Sequence, residues 1–154
     1  MADSRRLKDR HALVTGAAGG IGLAVLEAYL REGARCTAAD LPRESGPALA
    51  ALMERHPQQL HYVSADVARS ESIAAMIAAA RDRFGPISVL FNNAAVFDMA
   101  PLLESDERMY QRLFDVNVKG MFFVMQAVLR QMVESDIRGS VINLASQAGR
   151  RGEA

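Results

Sequence analysis

The chain has a single cysteine, no tryptophan and no excess of either charge. One cysteine excludes an internal disulfide, and Cys36, in an apolar-rich segment, is expected to be a buried small side chain. Eighteen basic residues balance eighteen acidic ones, which argues against nucleic acid or an anionic membrane as a partner. No apolar run reaches membrane-spanning length, and the first residues lack the apolar core of a signal peptide. We therefore expect a cytoplasmic location.

Histidines are also scarce, and none has the neighbours that a metal site needs. His11, His56 and His61 have no cysteine or carboxylate partners at metal-ligand spacing, so we expect them on the surface or at strand ends. A length of 154 residues, half of them hydrophobic, suits one domain that buries about 70% of its unfolded surface. The sequence therefore predicts a single domain without a metal.

Short apolar runs alternate with helix-like segments, and this alternation predicts the fold. The expected strands are 12–14, 34–40, 61–65, 87–91 and 141–144. The expected helices are 21–31, 45–55, 70–84 and 105–134, with Ser45 and Ser70 as N-caps and Ser105 opening the last. Continuous apolar runs indicate strands that are covered on both faces. We predict an α/β fold over residues 1–154, a Rossmann-type doubly wound parallel sheet.

The segment between the first strand and the first helix, TGAAGGIG at 15–22, has four glycines in seven positions. Glycine permits a tight turn and a close approach of ligand to backbone. The helix that follows presents unpaired N–H groups and the positive end of its dipole, so a pyrophosphate suits this turn. An ordinary glycine-rich turn is the alternative. A phosphate-loop NTPase is excluded, because no Gly-Lys-Ser/Thr closes the loop.

An acidic side chain ends the second strand, at the edge where a Rossmann-type sheet binds its ligands. Asp40 comes eighteen positions after Gly22, where a carboxylate accepts hydrogen bonds from the adenosine ribose and favours NAD over NADP. Arg43 is the only basic residue nearby. A solvated aspartate is the alternative, and Rossmann proteins that bind S-adenosylmethionine also carry an acid here.

Further motifs follow the later strands in the order that one family shows. Together with the glycine turn, the segments 66–67 (DV) and 92–95 (NNAA), Asn117 and Ser146 resemble the short-chain dehydrogenase/reductase family, with alanine replacing the last glycine of its Asn-Asn-Ala-Gly. The segments 92–101 and 146–154 resemble its NAD-dependent polyol dehydrogenase branch, which oxidises sorbitol- or galactitol-like substrates. The resemblance implies hydride transfer between NAD and a polyol or secondary alcohol.

The resemblance also implies roles for individual residues. The implied NAD-contacting residues are Thr15, Gly16, Gly20, Ile21, Gly22, Asp40, Leu41, Asp66, Val67, Asn92 and Ala94. Ser146 is expected to hydrogen-bond the reacting carbonyl or hydroxyl, while Asn117 disrupts its helix locally and holds a water of the proton relay. Gln147, Glu153 and Asp98 are expected to contact polyol hydroxyls.

Plainer explanations of the same residues stay open. The asparagines at 92 and 93 are suited to satisfy backbone groups at a strand end. Asn117 is also explained as a solvent-facing residue, and Ser146 as a turn serine. Asp66 is equally explained as a loop carboxylate that caps the turn before Ser70.

One part of the family pattern is absent from the 154 residues. The catalytic Tyr-x-x-x-Lys that follows the family's serine does not occur, and none of Tyr29, Tyr62 and Tyr110 has a lysine four positions later. We therefore expect the N-terminal part of a dehydrogenase, truncated after the fifth strand and inactive as it stands, with that strand as an exposed edge. A non-catalytic dinucleotide-binding module and a nonfunctional fragment are the alternatives. The resemblance implies a homo-oligomer, a tetramer, for the longer form.

Overall fold

A computed structural model describes residues 5–149 and divides them into five strands with helices between them. The strands are β1 His11–Thr15, β2 Arg35–Asp40, β3 Leu60–Ser64, β4 Val89–Asn92 and β5 Ser140–Asn143. The α-helices are α1 Gly20–Arg31, α2 Gly46–Arg55, α3 Ser70–Phe84, α4 Glu107–Phe114 and α5 Met121–Glu134. A π-helix, Asp115–Gly120, joins α4 to α5, and short 3₁₀ turns occupy Leu102–Glu104 and Gln147–Gly149.

The strands form one parallel sheet in the order β3-β2-β1-β4-β5. The chain winds outward from β1 to β3, then returns to the other side of β1 with β4 and β5. This order confirms the predicted Rossmann-type, doubly wound fold and puts the switch point between β1 and β4. As expected, β5 is an edge strand, since within residues 5–149 it pairs with β4 alone.

The apolar strands are buried because helices cover both faces of the sheet. Alternate residues of a strand point to opposite faces. Ala12 and Val14 of β1 thus join one apolar cluster with α1 and α2, and Leu13 between them joins the other with α3 and α5. Cys36 belongs to the first cluster, and burial raises its pKa to about 12, in keeping with an unreactive core thiol.

The predicted serine caps are wrong in detail. Ser45 occupies the predicted N-cap position of α2, but its backbone is αR and its side chain makes no cap hydrogen bond. Ser70 is already the first residue of α3, because the extended residue before it, Arg69, takes the cap position. Asp106, rather than Ser105, caps α4 by accepting a hydrogen bond from the Met109 amide at 2.7 Å. A carboxylate is favoured there because it also interacts with the positive end of the helix dipole.

The helix predicted over 105–134 is not continuous, because the π-helix divides it around Asn117, where the resemblance implied a local disruption. Gly120, the last residue of that π-helix, lies against the connection that follows β3. A Cβ at Gly120 would stand 2.9 Å from the Val67 carbonyl oxygen and 3.1 Å from Val67 Cγ2. The wider π turn and the missing side chain therefore bring this helix into contact with the sheet edge.

His11 lies at a strand end, which is one of its two expected positions, but it is buried there, at the start of β1, with 1% of its surface exposed. Its Nδ1 lies 2.8 Å from the Gly85 carbonyl oxygen and its Nε2 2.9 Å from Thr37 Oγ1. A carbonyl only accepts, so Nδ1 carries the proton of the neutral ring and the Thr37 hydroxyl donates to Nε2. Burial lowers the pKa of His11 to about 4, and the charge of Arg35 acts in the same direction.

The buried histidine predicts a loss of stability in acid. Between pH 6.5 and about 4 the unfolded chain protonates His11 while the folded chain does not. The stabilisation is therefore complete above pH 6.5 and is lost as pH falls through this window, by up to about 3 kcal/mol from this residue. Urea unfolding at pH 7.5 and pH 5 measures the loss, and His11→Gln is expected to flatten it.

A matched control separates His11 from the other histidines. Burial also lowers the pKa of His61, which is more exposed, so His61→Gln is expected to flatten the pH dependence much less. If His11→Gln proves too unstable for comparison, NMR titration of the His11 ring in the wild type replaces it. A ring that titrates near pH 6.5 would contradict the prediction.

Two further structural observations concern residues 5–149. No helix in this range is long and apolar enough to cross a membrane. No group of three or more histidine, cysteine or acidic side chains is arranged there to hold a metal ion.

Candidate functional site

A cavity of about 380 Å³ opens at the carboxyl edge of the sheet, beside the switch point. Its walls come from the glycine turn, the ends of β2 and β3, the segment after β4 and the π-helix. The lining residues are Gly16, Gly19, Ala39, Asp40, Leu41, Ala65, Asp66, Val67, Asn93, Ala94, Ala95, Val96 and Val116. The cavity therefore gathers residues from four connections that are far apart in sequence.

The glycine turn forms one wall, and Gly19 is the glycine in it that has both open space and a backbone that any residue adopts, since Gly20 has φ +52°. Gly16 has φ +64°, and a Cβ there would lie 2.8 Å from Ala94 Cα. A Cβ at Gly22 would lie 2.2 Å from the Gly16 carbonyl oxygen. By contrast, Gly19 and Gly20 have open space around the Cβ position. The turn is thus packed tightly on its protein side and open on the other side.

The start of α1 provides the groups that an anion needs. Gly19 is the N-cap of α1, offers no side chain to cap it, and lines the cavity. The amide of Leu23 donates to the Gly19 carbonyl oxygen at 3.2 Å, so the amides of the first turn before it have no acceptor within the helix. Free amides, the positive end of the dipole and an open glycine surface fit the diphosphate of a dinucleotide.

Hydrogen bonds of Thr15 and Asn93 hold the glycine turn against the segment that follows β4. Thr15 Oγ1 accepts hydrogen bonds from the amides of Asn93 and Ala94, both at 3.1 Å. The Asn93 side chain donates from Nδ2 to the carbonyl oxygens of Thr15 and Gly16 at 3.0 and 2.9 Å. Thr15, predicted to contact the cofactor, is buried and supports the wall without lining it.

Asp40 stands at the end of β2 with its carboxylate held by two backbone amides. Its Oδ2 accepts from the Ala18 amide at 2.8 Å and its Oδ1 from the Leu41 amide at 2.7 Å. The first bond fixes the glycine turn to β2, and the second fixes the carboxylate to its own loop. A carboxylate has about four acceptor positions, so further positions remain for a ligand hydroxyl.

Asp66 and Val67 line the cavity beyond Asp40. Asp66 Oδ1 accepts a hydrogen bond from the Ala68 amide at 2.9 Å, so the loop-capping role left open by the sequence is present. This bond leaves Asp66 at the cavity wall, and Val67 adds an apolar surface. The two roles of Asp66 are thus compatible, and its contact with adenine stays a prediction.

Asn92 does not line the cavity, and its neighbour Asn93 does. Asn92 is buried on the α5 side, where its Nδ2 donates to the Met121 carbonyl oxygen at 3.2 Å and to Asn143 Oδ1 at 3.0 Å. Asn93 was missing from the predicted contacts. Strand alternation indicates that the two asparagines face opposite sides, but it does not say which side holds the ligand.

The predicted NAD-contacting residues at the start of α1 do not line the cavity, and they can contribute only backbone groups to the binding of a ligand. Gly20, Ile21 and Gly22 belong to the first turn of α1 and do not line the cavity. The Ile21 side chain is 57% exposed. Their predicted contact with the cofactor therefore rests on their N–H groups.

Asn117 lies in the π-helix, where the helix is disrupted as the resemblance implied. Its Oδ1 accepts from the Val96 amide and its Nδ2 donates to the Val96 carbonyl oxygen, both at 2.8 Å. Asn117 is therefore not a free surface residue. It holds Val96 against the π-helix, and both Val96 and Val116 line the cavity.

Three of the residues predicted to contact substrate, Asp98, Ser146 and Gln147, do not line this cavity. Ser146 is exposed after β5, and its Oγ accepts from the Ala148 amide at 3.1 Å. Gln147 is exposed in the 3₁₀ turn that follows. Asp98 pairs with Arg112 at 2.6 Å, and Glu153 lies outside the described residues. The roles of these four residues stay predictions.

The charge of the cavity agrees with a dinucleotide that has no 2′-phosphate. Among residues 5–149, the charged residues that line it are Asp40 and Asp66, and no lysine or arginine does. A phosphate near Asp40 would meet a carboxylate without a cation to offset it. The residues present thus fit a diphosphate at the glycine turn and a ribose diol at Asp40.

The family model for short chain dehydrogenases matches residues 10–154. Among curated proteins, the chain is 49% identical to a sorbitol dehydrogenase of Cereibacter sphaeroides and 44% identical to a galactitol 2-dehydrogenase of Agrobacterium fabrum. Each alignment covers 97% of this chain and 57% of the relative. The chain therefore spans a little more than half the length of these relatives.

Solved structures give the same result for the fold. A short-chain dehydrogenase/reductase from Brucella melitensis, described as a glucose/ribitol dehydrogenase, superposes with a TM-score of 0.86 at 30% identity. The match covers 96% of this chain and 60% of that one. With the family model matching nearly its whole length, this chain belongs to the short chain dehydrogenase family.

Proposed function

We propose that this chain binds NAD at the carboxyl edge of its sheet and serves an oxidoreductase that transfers hydride between NAD and a polyol or secondary alcohol. The observation that carries the proposal is the cavity between the glycine turn and Asp40. Bound NAD supplies a nicotinamide ring that accepts or donates the hydride. The chain's own part is to hold the two phosphates and the adenosine ribose.

The proposed choice of NAD over NADP rests on Asp40. Its carboxylate faces the cavity from the end of β2, held by the amides of Ala18 and Leu41. In that position it accepts hydrogen bonds from the ribose hydroxyls and repels a 2′-phosphate. Arg43 is exposed in the loop that follows β2 and is not among the cavity residues.

The proposed substrate class comes from the named relatives. A sorbitol dehydrogenase and a galactitol 2-dehydrogenase act on polyols, and they share nearly half of their aligned residues with this chain. In the proposed reaction Ser146 orients the substrate oxygen. Asn117 supports the proton relay by holding the Val96 segment against the π-helix.

We propose that the 154 residues bind NAD without turning a substrate over. No tyrosine in them has a lysine four positions later: Gly33, Asp66 and Phe114 stand at those places after the three tyrosines. Loss of a positioned general acid/base typically costs about 10²- to 10⁴-fold in rate. Turnover therefore requires groups that these residues do not supply.

Two measurements on this chain test the proposal. Calorimetric titration is expected to detect NADH binding and much weaker NADPH binding. Incubation with NAD and sorbitol or galactitol is expected to give no NADH above the protein-free background. A folded chain that ignores millimolar NADH would contradict the proposed binding, and measurable oxidation would contradict the proposed inactivity.

We also propose self-association through α4 and α5. Their outer face exposes a series of large apolar side chains: Tyr110, Phe114, Phe122, Leu129 and Val133. Several large exposed apolar side chains on neighbouring helices are typical of a protein–protein interface. A second copy of this chain offers the same surface in return, which is the requirement of a symmetric dimer.

A further inference from the structure

Side chains of β3 hold the loop that follows Asp40. Tyr62 donates its hydroxyl hydrogen to the Pro42 carbonyl oxygen at 2.5 Å, and Ser64 donates to the Leu41 carbonyl oxygen at 3.2 Å. The Tyr62 hydroxyl also lies 3.4 Å from the Asp40 carbonyl oxygen. Three successive carbonyl groups after β2 are thus within reach of two hydroxyls from the neighbouring strand.

These bonds act on the carboxylate through the Leu41 peptide. The Leu41 amide donates to Asp40 Oδ1 at 2.7 Å, while the Leu41 carbonyl oxygen accepts from Ser64. With the carbonyl oxygens of Leu41 and Pro42 both held, the backbone on the far side of that amide has little freedom to rotate. The amide therefore stays directed at Asp40.

We propose that Tyr62 and Ser64 are positioning residues that set the preference of this chain for NAD over NADP. They hold the loop so that Asp40 faces the ribose site and the exposed Arg43 stays away from it. The inference rests on the proposed function, because it concerns the same dinucleotide site. Neither residue lines the cavity, so both act through Asp40 and its loop.

The chemistry of Tyr62 suits this role at neutral pH. The ring is half-buried and packs against the apolar cluster on the α1 side. Burial raises the pKa of its hydroxyl, and the charge of Asp40 acts in the same direction. The hydroxyl therefore keeps its proton and remains a donor to the loop.

The test uses Tyr62→Phe combined with Ser64→Ala, which removes the two hydroxyls and keeps the ring. We expect NADH to bind about fivefold more weakly, which corresponds to the net contribution of about one hydrogen bond. NADPH binding is expected to stay the same or improve, because the freed loop lets Arg43 approach a 2′-phosphate. The Kd for NADPH divided by the Kd for NADH therefore falls by about fivefold or more.

Tyr29→Phe is the matched control. Tyr29 lies on α1 and packs against the same apolar cluster as Tyr62, away from the loop after Asp40. Removal of the Tyr29 hydroxyl is expected to leave the ratio of the Kd for NADPH to the Kd for NADH unchanged. Equal weakening of NADH and NADPH in the double variant would mean a merely structural role for the hydroxyls and would overturn the inference.

A second readout needs no ligand. Hydrogen exchange measured by NMR is expected to be faster at the Leu41 amide in the double variant than in the wild type or in Tyr29→Phe. Unchanged exchange there overturns the inference even if the wild type binds no dinucleotide. Failure of the wild type to bind NADH, with faster exchange in the variant, contradicts the proposed function alone.

Discussion

Replacing Gly22 by alanine is expected to abolish detectable NAD binding and to lower the free energy of unfolding by about 3 kcal/mol, near the upper end for an overpacked site. The added Cβ would stand 2.2 Å from the Gly16 carbonyl oxygen and 2.9 Å from Asn93 Nδ2. Both neighbours are parts of the turn and its anchor on β4, so neither has free space to move into. Relief requires the turn to open, which moves the first amides of α1 away from the diphosphate. Urea unfolding and NADH titration measure the two effects.

Gly19→Ala is the matched control in the same turn. Gly19 has φ −165°, an extended conformation that any residue adopts, and nothing lies within 4 Å of its Cβ position. We expect its free energy of unfolding to stay within about 0.5 kcal/mol of the wild type. If Gly22→Ala unfolds at the same urea concentration as Gly19→Ala, the turn is not packed as described.

Replacing Asp40 by alanine is expected to reverse the cofactor preference. The ribose diol loses a charged acceptor, so NADH should bind about 10- to 100-fold more weakly. NADPH should bind more tightly than to the wild type, because the charge that repels its 2′-phosphate is gone. Both changes lower the ratio of the Kd for NADPH to the Kd for NADH. Calorimetric titration with each dinucleotide measures this ratio.

Two further variants separate the charge of Asp40 from its structural bonds. Asp40→Asn removes the charge but keeps one carbonyl oxygen, which can accept from one of the two amides of Ala18 and Leu41, so it should shift the ratio less than alanine does. Asp66→Asn changes the other charged residue of the cavity, on the side expected to hold the adenine. It should affect NADH and NADPH alike, since both contain that ring. A Kd ratio that stays constant in Asp40→Ala is the outcome that contradicts the proposal.

The fold was predictable because its signals are local. Each strand is a short apolar run covered on both faces, and each observed strand end lies within two residues of its expected position. The glycine turn and the aspartate at the end of β2 could be predicted from the sequence in the same way. Gly16 adopts φ +64° under Ala94, and Asp40 is the last residue of β2, which lies between β1 and β3 in the sheet.

Other features depend on contacts that no short segment encodes. The π-helix in place of a continuous helix brings Gly120 onto Val67, more than fifty residues earlier in the chain. His11 is buried because Thr37 and Gly85 supply its two hydrogen bonds from other parts of the sequence. Whether Asn92 or Asn93 faces the ligand depends on which side of the sheet α1 covers. Each of these outcomes requires the assembled sheet.

The strand order imposes a sequence of events during synthesis on the ribosome. Strands β1, β2 and β3 are neighbours along the chain and also in the sheet, so they have their partners as soon as they emerge. The other side of β1 has to wait for β4, whose residues Val89–Asn92 come more than seventy positions later. The crevice between β1 and β4 therefore does not exist until residues 89–92 have been made. A nucleotide in the surrounding solution cannot assist the early stages of folding, and its stabilising effect begins only after the switch point has closed.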